Sequence, residues 1–183
     1  RQPLGDLDAA RQLLDVFAPR IATELARKQA LRHLRVAVAA VRPRAGKDML
    51  QQLLELLASA LDVRLAFVTE VVDGEPRRAR TLCDLNNGQA QGEREYLLTG
   101  TPTEQVYDEG FLFVPRGVAA RFPDDAELQH QRAEGYMGRA MYDGDGRLLG
   151  HLGVIDDRPL APGLPRHHLF DILVQRVGAD IER

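Results

Sequence analysis

The side chains able to do chemistry are few and widely spaced: Cys83, His151, the adjacent pair His167 and His168, the acidic pairs Asp124-Asp125 and Asp156-Asp157, and the run Asp143-Gly144-Asp145-Gly146. Cys83 is the only cysteine, so no second thiol within the chain can resolve an oxidised sulfur, and no internal disulfide can form. It reads as a small core hydrophobe on a strand. His167 and His168 point about 100° apart on a helix and are poor joint ligands. Neighbouring carboxylates face opposite ways on a strand and cap at a helix start, which makes both acidic pairs structural. The Asp143 run lacks the later oxygen donors of a calcium loop, with Arg147 where one is required, and reads as a turn. His151 alternates with Leu152 on one strand, so if Leu148, Gly150, Leu152 and Val154 pack against helices, His151 faces the other way. A lone imidazole makes no metal site.

The elements that must position these groups follow from periodicity. Leu14, Phe17, Ile21, Leu31, Leu34 and Val38 recur at helical spacing, interrupted by Pro19, and Arg42-Pro43-Arg44-Ala45-Gly46 ends that stretch. Met49, Leu50, Leu53, Leu54, Leu56, Leu57 and Leu61 form a second stripe, broad enough to lie on a sheet. From Asp62 the period becomes two. Strands are predicted at 63–68 and 77–84 around the Asp73-Gly74 turn, at 94–98, at 111–114, and at 137–142 and 147–155 around the Asp143 run, with Asn86-Asn87-Gly88 opening a polar loop. Thr101-Pro102-Thr103-Glu104 starts a short helix with a capping box, Pro123-Asp124-Asp125 starts another, and a closing helix runs from Pro165. Strands outnumber what the helices could separate into βαβ units, which predicts an α+β fold with an antiparallel sheet and helices packed on one side.

The chain also repeats itself. Pro3-Leu4, Leu13-Leu14-Asp15-Val16-Phe17, Arg20-Ile21, Glu24-Leu25 and Arg27 return as Pro159-Leu160, Leu169-Phe170-Asp171-Ile172-Leu173, Arg176-Val177, Asp180-Ile181 and Arg183, at a constant offset of 156 residues. That is about one domain length, so residues 1–45 are expected to be the terminal helix of a preceding, similar domain with its helical linker, and residues 46–183 one domain. With 183 residues, a net charge of −3 and pI near 6, the chain carries no basic stripe for a phosphate backbone. No apolar run spans a bilayer, and a cytoplasmic location is expected.

Gly100-Thr101-Pro102 with Val106, Val114-Pro115-Arg116-Gly117-Val118, Phe122-Pro123-Asp124 with Leu128, Gly135-Tyr136-Met137-Gly138, Gly146 with Leu149-Gly150-His151-Leu152, and Asp156-Asp157-Arg158-Pro159-Leu160 together resemble the GAF sensory domains of bacterial sensor histidine kinases, diguanylate cyclases and transcriptional regulators. The resemblance covers about residues 46–183, and residues 1–27 resemble the end of a preceding copy. It implies a six-stranded antiparallel sheet, helices on one face forming a dimer surface, and a small-molecule pocket between the other face and the short helices. Thr103 stands where family members often carry cysteine. The phosphodiesterase cyclic-nucleotide signature is broken at Phe122-Pro123-Asp124-Asp125 and at Asn87-Gly88, and a lone Cys83 fits neither bilin attachment nor the GAF-fold methionine sulfoxide reductases.

Strand alternation and this resemblance nominate Tyr96, Phe113, Tyr136, Arg139 and His151 as pocket residues for a small anionic or planar ligand. The expected function is a non-catalytic sensory module of a multidomain bacterial signalling protein, with any catalytic output domain, such as a histidine kinase or diguanylate cyclase, outside this segment. A homodimer is expected through the N-terminal stripe together with Leu169, Ile172, Leu173 and Val177. A dimerisation spacer with an empty pocket is the competing reading, and a small-molecule enzyme a third. Neither a cofactor nor the ligand is identified by the sequence.

Overall fold

A computed structural model of the chain describes residues 47–75, 77–161 and 164–181. The stripe from Leu14 to Val38 and the preceding-domain segment lie outside these residues, as do the side chains of His167, His168 and Leu169. In order, the elements are α1 (Lys47–Leu61), β1 (Leu65–Val72), β2 (Arg78–Asn86), β3 (Gln89–Ala90), β4 (Glu95–Leu97), α2 (Pro102–Glu109), β5 (Phe111–Val114), α3 (Val118–Arg121), α4 (Ala126–Gln131), β6 (Gly135–Tyr142), β7 (Leu148–Asp156) and α5 (Leu164–Ile181).

The strands form one antiparallel sheet of order β3-β2-β1-β7-β6-β5, with β4 as a seventh strand also pairing β2. β3 and β4 take opposite ends of β2, at Leu85–Asn86 and Arg78–Arg80. The α+β class and antiparallel arrangement are therefore as expected, with one strand more than the six implied. The extra one is β3. Asn87 and Gly88 both hold positive φ, at 52° and 76°, so Asn86-Asn87-Gly88 is a tight hairpin turn rather than an open loop.

One face is covered by α1 and α5. Leu53, Leu54, Leu57 and Leu61 of α1 and Phe170, Leu173, Val174 and Val177 of α5 pack with Ala66, Val68, Met137, Met141, Leu152 and Val154 of the strands. Leu173 and Val177 are each 1% exposed. They belong to this core and present nothing to a partner, a correction to their place in the expected dimer surface; Ile172 is the exposed member, at 37%.

The other face carries α2, α3 and α4 over a second core of Leu65, Phe67, Val106, Leu112, Val114, Val118, Leu128, Tyr136 and Ile155. Thr101 caps α2 by accepting from the Glu104 amide at 3.3 Å, while the Glu104 carboxylate accepts from the Gly100 amide at 3.0 Å, one residue further back than a standard box. Gly110 ends α2 in the left-handed region, its amide donating to the Val106 carbonyl. α3, four residues with no apolar stripe, has no counterpart in the periodicity.

Two β-bulges reset the alternation. Thr69 pairs Thr81 and Val68 pairs Cys83, so Leu82 is skipped; Met141 pairs Gly150 and Tyr142 pairs Leu148, so Leu149 is skipped. Leu148 consequently packs with the pocket-side core and Leu149 with the helix-side core.

Candidate functional site

The pocket face begins as a layer of polar side chains sealed under α2. Thr69 on β1 and His151 on β7 are cross-strand partners, and alternation from Val68 and Leu152, which pack on the helix side, turns both away from α1 and α5. The Thr69 hydroxyl lies 2.6 Å from His151 Nδ1 and 3.1 Å from the Tyr107 hydroxyl, and the Tyr136 hydroxyl lies 3.3 Å from His151 Nε2. A neutral imidazole offers one donor and one acceptor, and either tautomer satisfies this chain of hydroxyls. The rings of Phe67 and Tyr107 meet the imidazole edge-on at 5.2 and 5.6 Å. His151 is wholly buried, and that burial pulls its pKa down to about 3, so it is neutral at physiological pH. Burial likewise pushes the Tyr107 phenol up to about 12 and raises that of Tyr136.

Beside this layer the molecule opens into a cavity of about 450 Å³. Its floor is Leu65 and Phe67 of β1, Thr81 and Asp84 of β2, Tyr136 of β6 and Ile155 of β7. Its walls are the stretch from Arg94 through Tyr96 to Thr103 and the start of α4, from Asp124 to Leu128. Asp125 caps α4 by accepting from the Leu128 amide at 3.1 Å. The roof is tied to the sheet where Arg64 donates to the Gln131 carbonyl at 2.7 Å and Arg94 meets Glu127 at 3.4 Å. Tyr96 and Thr103 hydroxyls lie 3.0 Å apart across the wall, and burial raises the Tyr96 phenol. The volume is within the ordinary range for a small-molecule site.

Of the five nominated residues, Tyr96 and Tyr136 line the cavity. His151 does not reach it; it stands behind Tyr136 as a hydrogen-bonded interior histidine. Phe113 and Arg139 are on the opposite face. Phe113 packs with the helix-side core, and the Arg139 guanidinium stacks 4.5 Å over the Phe111 ring and pairs with Asp171 of α5 at 2.6 Å. Alternation explains the error: Arg139 is three residues from Tyr136 on one uninterrupted strand, and odd spacings put side chains on opposite faces. The residue of β5 that faces the pocket-side core is Leu112.

The residue missed is Asp84. Its side chain is 2% exposed, it lines the cavity, and it is held by an ion pair with Arg94 at 3.5 Å without a close, well-aligned hydrogen bond among the described residues. The other candidates have structural duties. Asp156 accepts from the backbone amides of Arg64 and Arg158, both at 2.8 Å, and from the Arg158 side chain; burial pushes its carboxyl up, and these bonds together outweigh it and hold it below the usual range. Asp143 closes its turn by accepting from the amides of Asp145 and Arg147. Cys83 packs toward the helix-side core, away from the cavity. No three metal-ligating side chains converge among the described residues, and no described helix is long and apolar enough to cross a membrane.

Solved structures with this arrangement include the GAF domain from an Acinetobacter phosphoenolpyruvate-protein phosphotransferase, with 13% identity, a TM-score of 0.65, and coverage of 85% of this chain and 93% of that one. The chain has the GAF fold. The GAF domain of A. aeolicus nlh2 in an inactive state matches at 12% identity and TM-score 0.62, covering 86% of this chain and 98% of that one. The chromophore-binding domain of the R. palustris bacteriophytochrome RpBphP3 matches at 10% identity and TM-score 0.61, covering 87% of this chain and 62% of that one. No protein-family model and no curated protein sequence matches the chain. At such identities the GAF likeness is one of architecture, and the site must be argued from its own side chains.

Proposed function

We propose that this GAF-fold domain is the sensory module of a larger signalling protein, holding a small molecule in the cavity between the sheet and α4. The observation that carries the reading is a cavity of about 450 Å³ lined by the aromatic rings of Phe67, Tyr96 and Tyr136 and by a buried carboxylate, Asp84, whose ion pair with Arg94 at 3.5 Å is shared with Glu127. A spacer with no ligand would gain stability by closing such a space or making it apolar. A neighbour described as a chromophore-binding domain gives a precedent for this architecture around a bound molecule.

The output would leave through α5, whose Asp171 is paired to the middle of β6 through Arg139 and whose Phe170 sits in the core. A ligand that favours one sheet geometry can bias the helix only by its differential affinity for the two states. Homodimerisation is part of the same proposal, through the 14–38 stripe with Ile172. A native mass spectrum of the purified chain tests the site: a small molecule retained at gentle activation is the expected result, and a bare chain under all conditions supports the empty spacer. Light scattering tests the assembly, and a monomer at high micromolar concentration rejects it.

A further inference from the structure

We infer that the cavity receives a small organic cation, an ammonium, amidinium or guanidinium group on a compact body, and that Asp84 is its anchoring carboxylate. This rests on the ligand-binding reading above and fixes the sign of the ligand's charge.

The argument starts from the carboxylate. A buried carboxylate normally accepts several hydrogen bonds, because an unmet charge away from water is expensive. Neither Asp84 oxygen makes a close, well-aligned hydrogen bond among the described residues; the Gln91 amide lies near enough to favour the charged form, but its own bond goes to the Asp84 carbonyl at 3.2 Å. The cation it meets is Arg94, 3.5 Å from Oδ2, but Arg94 is 45% exposed and is shared with Glu127 at 3.4 Å. Such a divided, half-solvated ion pair compensates little. Burial pushes the Asp84 carboxyl above its ordinary range, with Arg94 and the nearby Gln91 amide pulling the other way less strongly.

The rest of the cavity has the same sign. Asp84, Asp124, Asp125 and Glu127 line it against the single guanidinium of Arg94. Arg139, which would have served an anion, is committed to Asp171 on the far face. Aromatic walls at Phe67, Tyr96 and Tyr136 suit a cation as well as a flat body, since ring faces carry negative potential. A carboxylate whose one cation is shared and half-exposed can take a donor group with two N–H bonds, such as an amidinium.

Three molecules of one shape and different charge decide it: benzamidine, benzamide and benzoate, titrated calorimetrically into the chain at pH 7.5. Benzamidinium should bind at least tenfold more tightly than benzamide, with no heat from benzoate. Asp84→Asn should weaken benzamidinium at least tenfold and raise the melting temperature of the unliganded protein, because the same change that removes the anchor removes the buried charge. Should that variant fail to fold, the Asp84 carboxyl carbon resonance of the unaltered protein must move on adding benzamidine. Benzoate or benzamide binding as well as benzamidine overturns the cation assignment and leaves a ligand site standing. Absence of benzamidine binding overturns it too, and the ligand-binding reading itself falls only if the native mass spectrum is also bare. An Asp84→Asn protein that melts lower and keeps its benzamidinium affinity makes Asp84 structural.

Discussion

Under α1 and α5 the sheet buries Leu54, Leu57, Phe170 and Leu173 to 1% exposure or less, and every one of these side chains is apolar. Under α2 and α4 the same sheet buries Thr69, Thr81, Asp84 and His151 to 3% or less, beside a cavity. The first face can be filled densely because apolar contacts have no direction, and it supplies most of the cohesion. The second keeps polar groups that must be satisfied in direction, and one, Asp84, whose cation is shared and half-exposed. On the reading proposed above, the second face is shaped for a ligand as well as for folding.

The largest test of this contrast is truncation on each side. Phe170→Ala, in the helix-side core, should cost about 3–5 kcal/mol in urea denaturation. Tyr96→Ala, on a wall already bordering open volume, should cost less than half as much, and equal losses would end the distinction.

Acid should act through the polar face. The His151 pKa falls from 6.5 unfolded to about 3 folded, so its contribution is complete above pH 6.5 and is lost progressively as pH falls from there toward 3. By pH 4.5 that loss is about 3 kcal/mol. Asp84 works in the opposite sense, since a raised folded pKa makes its ionised form a cost that acid relieves. His151→Gln should flatten the fall in stability between pH 6.5 and 4.5, and Asp84→Asn should steepen it. A His151→Gln profile parallel to the parent would place the sensitivity elsewhere.

A smaller effect is expected at Gly153, where an added Cβ would intrude on the Phe67 ring. Gly153→Ala should cost about 1–3 kcal/mol by overpacking and displace Phe67 toward the cavity, visible as changed affinity for whatever the cavity binds. Thr101→Ala, removing the α2 cap, should cost only about 1 kcal/mol in the same assay.

Periodicity made most of the fold legible. The stripe from Met49 to Leu61, the Asp73-Gly74 and Asp143 turns, and the Thr101 cap each correspond to an element or boundary in the structure. What failed was parity. Phe113 and Arg139 were placed in the pocket although alternation from Leu112 and Tyr136 puts them on the other face. Asp84 was hidden for a deeper reason. It lies three residues from Thr81, which forbids a shared face on a regular strand, and only the bulge at Leu82 brings both to the cavity. A bulge is an agreement between two strands, and neither strand's sequence states it alone.

The sheet's margins carry a last consequence. On one side β2 is occupied at its two ends by β3, of two residues, and β4, of three, with Glu95 of β4 bridged to Arg78 and Arg80; on the other side β5 has only four residues. Borders this short, charged on the β4 side, offer little template along which a foreign extended segment could zip, and so guard against polymerisation by strand exchange.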